Sequence, residues 1–490
     1  MTYQSPKRNK LGIVGGLGAI GGADLLMKII KSTPAGGDHE QLDISFEQQP
    51  FDDAGAIADA HYNPNHRKFY VYNTLKEMER RGCQIALLPC FISHSFLGEV
   101  APEVSLTVLS LVDAVQDKLA RDHPEARRVG VITSSYVRKT GLFDRALGPS
   151  REVIYPDDDV QSSAVMPAVY GPAGIKAGRL SGNSVEWLAE ACENLASLGA
   201  DVIILGSTEL PILIDTLRPR IATPILDVNQ AYAEYALAHG GAGRSQPFKI
   251  GVVGGVGPAA TVDFMDKVVK RTKAARDQDH IKMVVEQNPQ IPDRTANLIS
   301  DGDDPTIPLY STCKRLEADG ADAIAIPCNT AHAYVARIQS HLGVPIVNML
   351  TETAAHIRAA HPEIRNVGLL ATAGTVASGV YQEALEAVGL TLITPDAPMQ
   401  DRVMAAIYGE KGVKAGFTTG QCREDLLAAI KHVRDKGAEA AILGCTELPL
   451  IAPDGATSEG LPVLLDPTDI LARKCVSVAQ GTAAPSAQTA

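Results

Sequence analysis

Two short stretches in the C-terminal half of the chain each close an apolar run with a thiol. They read Pro327-Cys328-Asn329-Thr330-Ala331-His332 and Gly444-Cys445-Thr446-Glu447-Leu448-Pro449. The N-terminal half carries matching stretches, Pro89-Cys90-Phe91-Ile92-Ser93-His94 and Gly206-Ser207-Thr208-Glu209-Leu210-Pro211. A thiol has a reference pKa of ~8.5, so it can give or take a proton near neutral pH. Two thiols on opposite sides of one carbon could remove a proton from one face and return one to the other, which a single base cannot readily do. The C-terminal half has such a pair, Cys328 and Cys445. The N-terminal half has Cys90 and Ser207, and a serine hydroxyl is a far weaker acid and base.

The match between the halves is long. Lys10–Gly18 repeats as Lys249–Gly257 at an offset of 239, and Cys90 repeats as Cys328 at 238. Met166–Gly171 repeats as Met404–Gly409, and Gly174–Gly178 as Gly412–Gly416, both at 238. These motifs predict one change of offset, between Pro50 and Cys90. A period this long lies far beyond solenoid repeats and means two fused copies of one globular unit, each large enough for its own core. The Gly-rich stretch Gly240–Pro247 marks the join. The expected units are 1–243 and 244–480, followed by a small, polar, disordered tail, 481–490.

Short apolar runs alternate with amphipathic segments in the C-terminal copy. The runs are Lys249–Val253, Lys282–Glu286, Ala323–Pro327, Pro345–Val347, Val367–Ala371, Ala440–Gly444 and Val463–Leu465. Helices are predicted at Val262–Lys273, Pro305–Asp319, Val376–Val388 and Arg423–Lys436. This pattern means parallel strands covered on both faces, an α/β doubly wound architecture. Cys328 and Cys445 lie 117 residues apart, about half a copy. Each copy is therefore expected to have two lobes with a cleft between them, where strand ends meet and ligands bind. Each cysteine is expected to open a helix, whose N-terminus can lower a thiol pKa and hold a carboxylate.

The composition, 45% hydrophobic and 21% charged with a net charge of −12, fits a soluble enzyme and argues against a nucleic-acid or anionic-membrane surface. No export signal and no spanning stretch are seen, so a cytoplasmic location is expected. The eight cysteines are scattered and read as reduced thiols. Cys328, His332 and Cys445 lack the further ligands that a zinc site needs. Gly254-Gly255-Val256-Gly257 lacks the dinucleotide-binding order and suggests a tight turn that brings backbone near the substrate, with Gly257 among the substrate-binding residues.

The C-terminal copy resembles the aspartate/glutamate racemase family across residues 249–475. The resemblance rests on Gly254–Pro258, Asn288–Thr295, Cys328–His332, Gly412–Gly416 and Gly444–Glu447. It implies racemisation of an acidic amino acid, aspartate before glutamate, without pyridoxal phosphate or another cofactor, by Cys328 and Cys445 as acid/base pair. It further implies that Arg294 and Lys414 grip the side-chain carboxylate, and that Asn329, Thr330 and Thr446 hold the α-carboxylate and amine. An arginine fork suits a carboxylate on physical grounds alone. Glu447 orients its neighbours or satisfies the helix start, and His332 tunes the thiol or caps and packs. In the N-terminal copy Cys90, Lys176, Glu209 and His94 remain, while Phe91, Ile92, Gly55 and Ser207 stand where Asn329, Thr330, Arg294 and Cys445 are expected. That copy is expected to be a pseudo-enzyme forming an intrachain pseudo-dimer with the other, with further homo-oligomers open; alternatively it binds another ligand, with Phe91 and Ile92 lining an apolar pocket. Two alternatives stay open. One is a maleate isomerase, hydantoin racemase or decarboxylase on the same scaffold. The other is a non-enzymatic amino-acid sensor.

Overall fold

The structure, a computed structural model, describes residues 9–37, 40–51, 62–148, 150–240, 247–453 and 460–483. Gly55 and the tail beyond residue 483 lie outside the described residues. The chain divides into two compact units after Gln246.

The N-terminal unit contains two parallel four-stranded sheets. The first comprises β1 (Leu11–Val14), β2 (Ile44–Glu47), β3 (Ile85–Leu87) and β4 (Thr107–Leu109), in the order β2-β1-β3-β4. The second comprises β5 (Arg128–Ile132), β6 (Glu152–Ile154), β7 (Val202–Leu205) and β8 (Ile225–Leu226), in the order β6-β5-β7-β8.

The C-terminal unit repeats the plan. Its first sheet has β9 (Lys249–Gly254), β10 (Lys282–Gln287), β11 (Ala323–Ala325) and β12 (Ile346–Val347), in the order β10-β9-β11-β12. Its second has β13 (Asn366–Ala371), β14 (Thr391–Ile393), β15 (Ala440–Gly444) and β16 (Val463–Leu465), in the order β14-β13-β15-β16. The central strands β9, β13 and β15 are buried along almost their whole length, as strands covered by helices on both faces must be. Among the described residues no helix is long and apolar enough to cross a membrane.

Local departures from the predicted elements have local causes. Strand β14, an edge strand with no fully buried residue, was not predicted. The helix predicted at Val376–Val388 is two helices, Ala373–Ala377 and Val380–Glu386, broken where Gly379 takes φ +72°. The offset between copies also changes more than once. Strand β6 starts at Glu152 and β14 at Thr391, an offset of 239. Gln161 Nε2 donates to the Thr133 carbonyl as Gln400 Nε2 does to Ala371, each at 2.9 Å. By Met166 and Met404 the offset is 238 again, and each sulfur accepts from a matching backbone N–H, of Ser135 and Ala373. The extra residue falls in a π-helix over Gln161–Val165, where the C-terminal unit runs a plain α-helix, Ala397–Tyr408. A π-turn holds one more residue than an α-turn, so it absorbs the insertion and leaves Met166 and its successors in register.

Candidate active site

Four strand ends build the site of the C-terminal unit. The turn after β9 supplies Val256, and the segment after β11 supplies Cys328, Asn329 and Thr330. Thr372 follows β13, and Cys445, Thr446 and Glu447 follow β15. These loops leave the carboxyl ends of the two central strand pairs, β9/β11 and β13/β15, where the strand order reverses in each sheet. Arg294 and Thr295 enter from the helix Arg294–Ile299, Tyr408 from the helix Ala397–Tyr408, and Lys414 from the turn Val413–Ala415. Together they enclose a cavity of about 20 Å³, lined by both thiols. That is room for about one water, not for an amino acid.

The second thiol is embedded in an ionic cluster. Cys445 Sγ donates to Glu447 Oε2 at 3.0 Å, and Lys414 Nζ meets Glu447 Oε1 at 2.5 Å. Burial and the Glu447 carboxylate push the Cys445 thiol well above its usual value, although Lys414 pulls the other way. The expected lowering by a helix start is therefore overturned for Cys445. The segment after it is a 3₁₀ turn of four residues, Leu448–Ile451, and that after Cys328 is a 3₁₀ turn of five, Thr330–Tyr334; neither carries the dipole of a full α-helix. Burial raises the Glu447 pKa, but Lys414 and the Cys445 hydrogen bond outweigh it, leaving a carboxylate below its ordinary range.

Lys414 thus has a protein carboxylate as its partner, where the sequence suggested a substrate clamp. Its ammonium also lies 5.5 Å from the centre of the Tyr408 ring. Gly257, at φ +133°, does not line the cavity; a Cβ there would stand 2.7 Å from Glu447 Oε1, so the bare backbone makes room for the carboxylate.

The first thiol has cationic and amide neighbours. Arg294 donates to the carbonyls of Pro292 (3.0 Å) and Val256 (3.1 Å), while its buried Nε has no partner among the described residues. Burial works against the guanidinium charge, but Cys328 and Asp293 beside it more than restore it. Asn329 Oδ1 accepts from the Tyr381 hydroxyl at 2.6 Å, and its buried Nδ2 is also without a partner among the described residues. Thr330 Oγ1 contacts Thr375 Oγ1 (2.7 Å) and Thr372 Oγ1 (3.2 Å), and Thr295 joins the same hydroxyl cluster through Thr372 at 3.1 Å. Thr446 Oγ1 reaches Glu447 Oε2 at 3.3 Å.

His332 lies outside the cavity lining. Its Nδ1 bonds the Cys328 carbonyl at 2.9 Å and its Nε2 accepts from Met349 N–H at 3.1 Å. Burial holds its pKa down to about 4, so it is a neutral bridge between backbone segments.

The sequence reading missed Thr295, Thr372, Thr375, Tyr381 and Tyr408. Tyr408 was within reach, since the repeated motif also carries Tyr170 in the other copy. The hydroxyl cluster was not, because its members come from three separate elements.

The N-terminal unit keeps a cavity of the same size, about 20 Å³. Lys176 Nζ pairs with Glu209 Oε1 at 2.5 Å, and Ser207 Oγ donates to Glu209 Oε2 at 2.8 Å. His94 repeats the neutral bridge, from the Cys90 carbonyl (2.9 Å) to Leu111 N–H (2.8 Å), with its pKa held down to about 4 by burial. The site has lost less than the sequence suggested. Buried Arg67 donates from Nη1 to Cys90 Sγ at 3.2 Å, so a guanidinium stands beside this thiol too.

A model of the family described as Asp/Glu/hydantoin racemase matches the chain twice, over residues 14–236 and 253–475. The chain belongs to that family. Its broader relatives include the broad specificity amino-acid racemase RacX of Bacillus subtilis (strain 168), 31% identical over 236 residues, 46% of this chain and 96% of that protein. A glutamate racemase of Koribacter versatilis (strain Ellin345) is 30% identical over 151 residues, 30% of this chain and 50% of its own length. Among solved structures, Picrophilus torridus aspartate racemase matches with 32% identity and a TM-score of 0.42, covering 48% of this chain and 94% of that one. The family membership makes the chain a racemase-type isomerase built from two tandem copies.

Proposed function

We propose that the C-terminal unit racemises an acidic amino acid, aspartate in preference to glutamate, with Cys328 and Cys445 as its two acid/base groups and no pyridoxal phosphate. The observation that carries this reading is that both thiols line one cavity together with Arg294 and Asn329, whose buried Nε and Nδ2 have no hydrogen-bond partner among the described residues. Buried donors of this kind call for an acceptor, and a carboxylate is the strongest one available.

In the resting site Cys445, which donates to Glu447, is the proton donor. Cys328, beside the guanidinium, is the base. Its thiolate removes the Cα proton, negative charge spreads into the substrate carboxylate near Arg294 and Asn329, and Cys445 gives its proton to the opposite face. Glu447 and Lys414 then face the thiolate left at Cys445, and the lysine steadies it. The opposite enantiomer runs the same steps in reverse. The N-terminal unit does not racemise, because Ser207 cannot supply the second proton near neutral pH.

Incubation with L- or D-aspartate in heavy water tests this. Deuterium is expected at Cα of the inverted product, and Cys328→Ala and Cys445→Ala are each expected to lose racemisation by about 100-fold or more. Ordinary activity in both variants would remove the two-thiol model. A covalent adduct on either cysteine, seen by mass spectrometry, would instead favour nucleophilic chemistry.

A further inference from the structure

We propose, resting on the racemase reading of the C-terminal cavity, that Tyr381 is a positioning residue: its hydroxyl holds the Asn329 amide by the oxygen and so keeps the amide N–H as a donor for a substrate carboxylate. A carboxamide has two unlike ends. Its oxygen suits an ammonium and its N–H suits a carboxylate, so the end left free decides what the side chain binds. Asn329 follows Cys328 directly, lines the cavity and is 2% exposed. The Tyr381 hydroxyl donates to its Oδ1 at 2.6 Å, while its buried Nδ2 has no partner among the described residues.

Tyr381 itself does not line the cavity. It lies on the helix Val380–Glu386, 1% exposed, within the same buried cluster as Leu369 and Leu385. Its reach to the substrate therefore runs through Asn329. Asn329 follows β11 and the helix of Tyr381 follows β13, so this one bond also ties together the two sheets of the unit.

The N-terminal unit holds the control. Strands β5 and β13 start at Arg128 and Asn366, and the helices after them follow Gly141 (φ +64°) and Gly379 (φ +72°), both pairs at an offset of 238. At that offset Phe91 answers to Asn329 and Phe143 to Tyr381. Phe143 is a tyrosine without its hydroxyl. It is also 1% exposed, and it meets Phe91 with ring centres 5.0 Å apart. Where the amide is gone, the ring stays and the hydroxyl goes with the amide. The ring thus serves packing and the hydroxyl serves Asn329, since a buried hydroxyl is kept where it has a partner. The next position repeats the exchange: the Thr330–Thr375 hydroxyl contact (2.7 Å) answers to Ile92 and Val137, both lining the N-terminal cavity.

The test uses the full chain with two probes, aspartate and succinate, which has both carboxylates and no amine. Protection of Cys328 from iodoacetamide, followed by peptide mass spectrometry over a range of probe concentrations, reports binding without turnover. Deuterium uptake at Cα of aspartate reports racemisation. Tyr381→Phe is expected to weaken binding of both probes about tenfold, the worth of one hydrogen bond to a charged group. Phe143 shows that the bare ring fits this place, and circular dichroism checks the fold. Asn329→Ala is expected to weaken both probes at least as much. Adding Tyr381→Phe to Asn329→Ala should then change binding by less than about twofold, because the hydroxyl acts through the amide. A side chain that served only packing would add its loss to that of Asn329→Ala. Unweakened binding in Tyr381→Phe, additive losses in the double variant, or a loss confined to aspartate would overturn the proposal; the last would mean that the amide oxygen serves the ammonium. Protection by both probes without deuterium at Cα would remove racemisation alone, with the role of Tyr381 still decided by the variants. No protection by either probe in the unaltered chain would overturn both.

Discussion

At the scale of single residues, the site is an exercise in what surrounds each sulfur. Cys445 is held as a thiol by burial first and by the Glu447 carboxylate second, with Lys414 opposing both. Replacing Glu447 by Gln removes the anion and leaves the ammonium, so the thiol pKa should fall. At pH 8 the thiolate fraction of Cys445 should then rise, by about tenfold for every ~1.4 kcal/mol of repulsion relieved, and alkylation by iodoacetamide should quicken in step. Slower alkylation in Glu447→Gln would mean that the carboxylate is not what keeps the proton on sulfur. The thiols, Asn329, Thr330, Thr446 and Glu447 were legible in the sequence because each stands in a compact motif that ends a strand, and Arg294 because it stands in the Asn288–Thr295 motif after β10. The partners that define their roles were not. Lys414 looks like a substrate clamp until its contact with Glu447, 33 residues away in the chain, is seen. Arg67 could not be found by matching the copies, because chain position 67 corresponds to Pro305 and only the folded helix carries its side chain to Cys90.

At the scale of elements, short ties between strand ends and helices set the site. His332 joins the segment after β11 to the start of the helix Met349–Ala360, and His94 does the same in its own unit. Both pKa values are held down to about 4 from 6.5. As pH falls below 6.5 the unfolded chain takes up protons that the folded rings refuse until about 4. Stability is therefore present above pH 6.5 and lost progressively toward pH 4, with a full difference on the order of 3 kcal/mol per ring. Melting temperatures at pH 7 and pH 5 should show a smaller acid loss in His332→Gln than in the unaltered chain; equal losses would remove His332 from this account. The turn after β9 makes a second tie. Gly257→Ala would drive a methyl group against Glu447, in a backbone conformation that side chains rarely adopt. Racemisation should drop while Cys328→Ala remains the more severe lesion, and an unimpaired Gly257→Ala enzyme would mean that the carboxylate has room to spare. The alternation of strands and helices was readable because buried parallel strands are continuous apolar runs. The helix starts after the thiols were misjudged, since a 3₁₀ turn and an α-helix begin with the same residue types.

At the scale of the molecule, two copies with the same sheets hold unlike cavities. The difference is spread over a wall as well as one sulfur, so Ser207→Cys in a chain already carrying Cys328→Ala and Cys445→Ala should not recover racemisation, measured again by deuterium at Cα. Recovery would show that the hydroxyl alone had silenced the N-terminal unit. The duplication and the α/β plan were legible from repeated motifs, whereas the later change of offset, in place from Glu152 to Gln161, was hidden because the π-helix closes it before the Met166 motif. The smallness of the C-terminal chamber has a kinetic corollary. A space fit for one water would have to widen to admit the proposed acidic amino acid and widen again to let it go, so each turnover is expected to include two swings against solvent drag. Added glycerol or sucrose should slow the maximal rate in proportion to viscosity wherever release, not proton transfer, sets the pace, and a slow substrate should escape that drag.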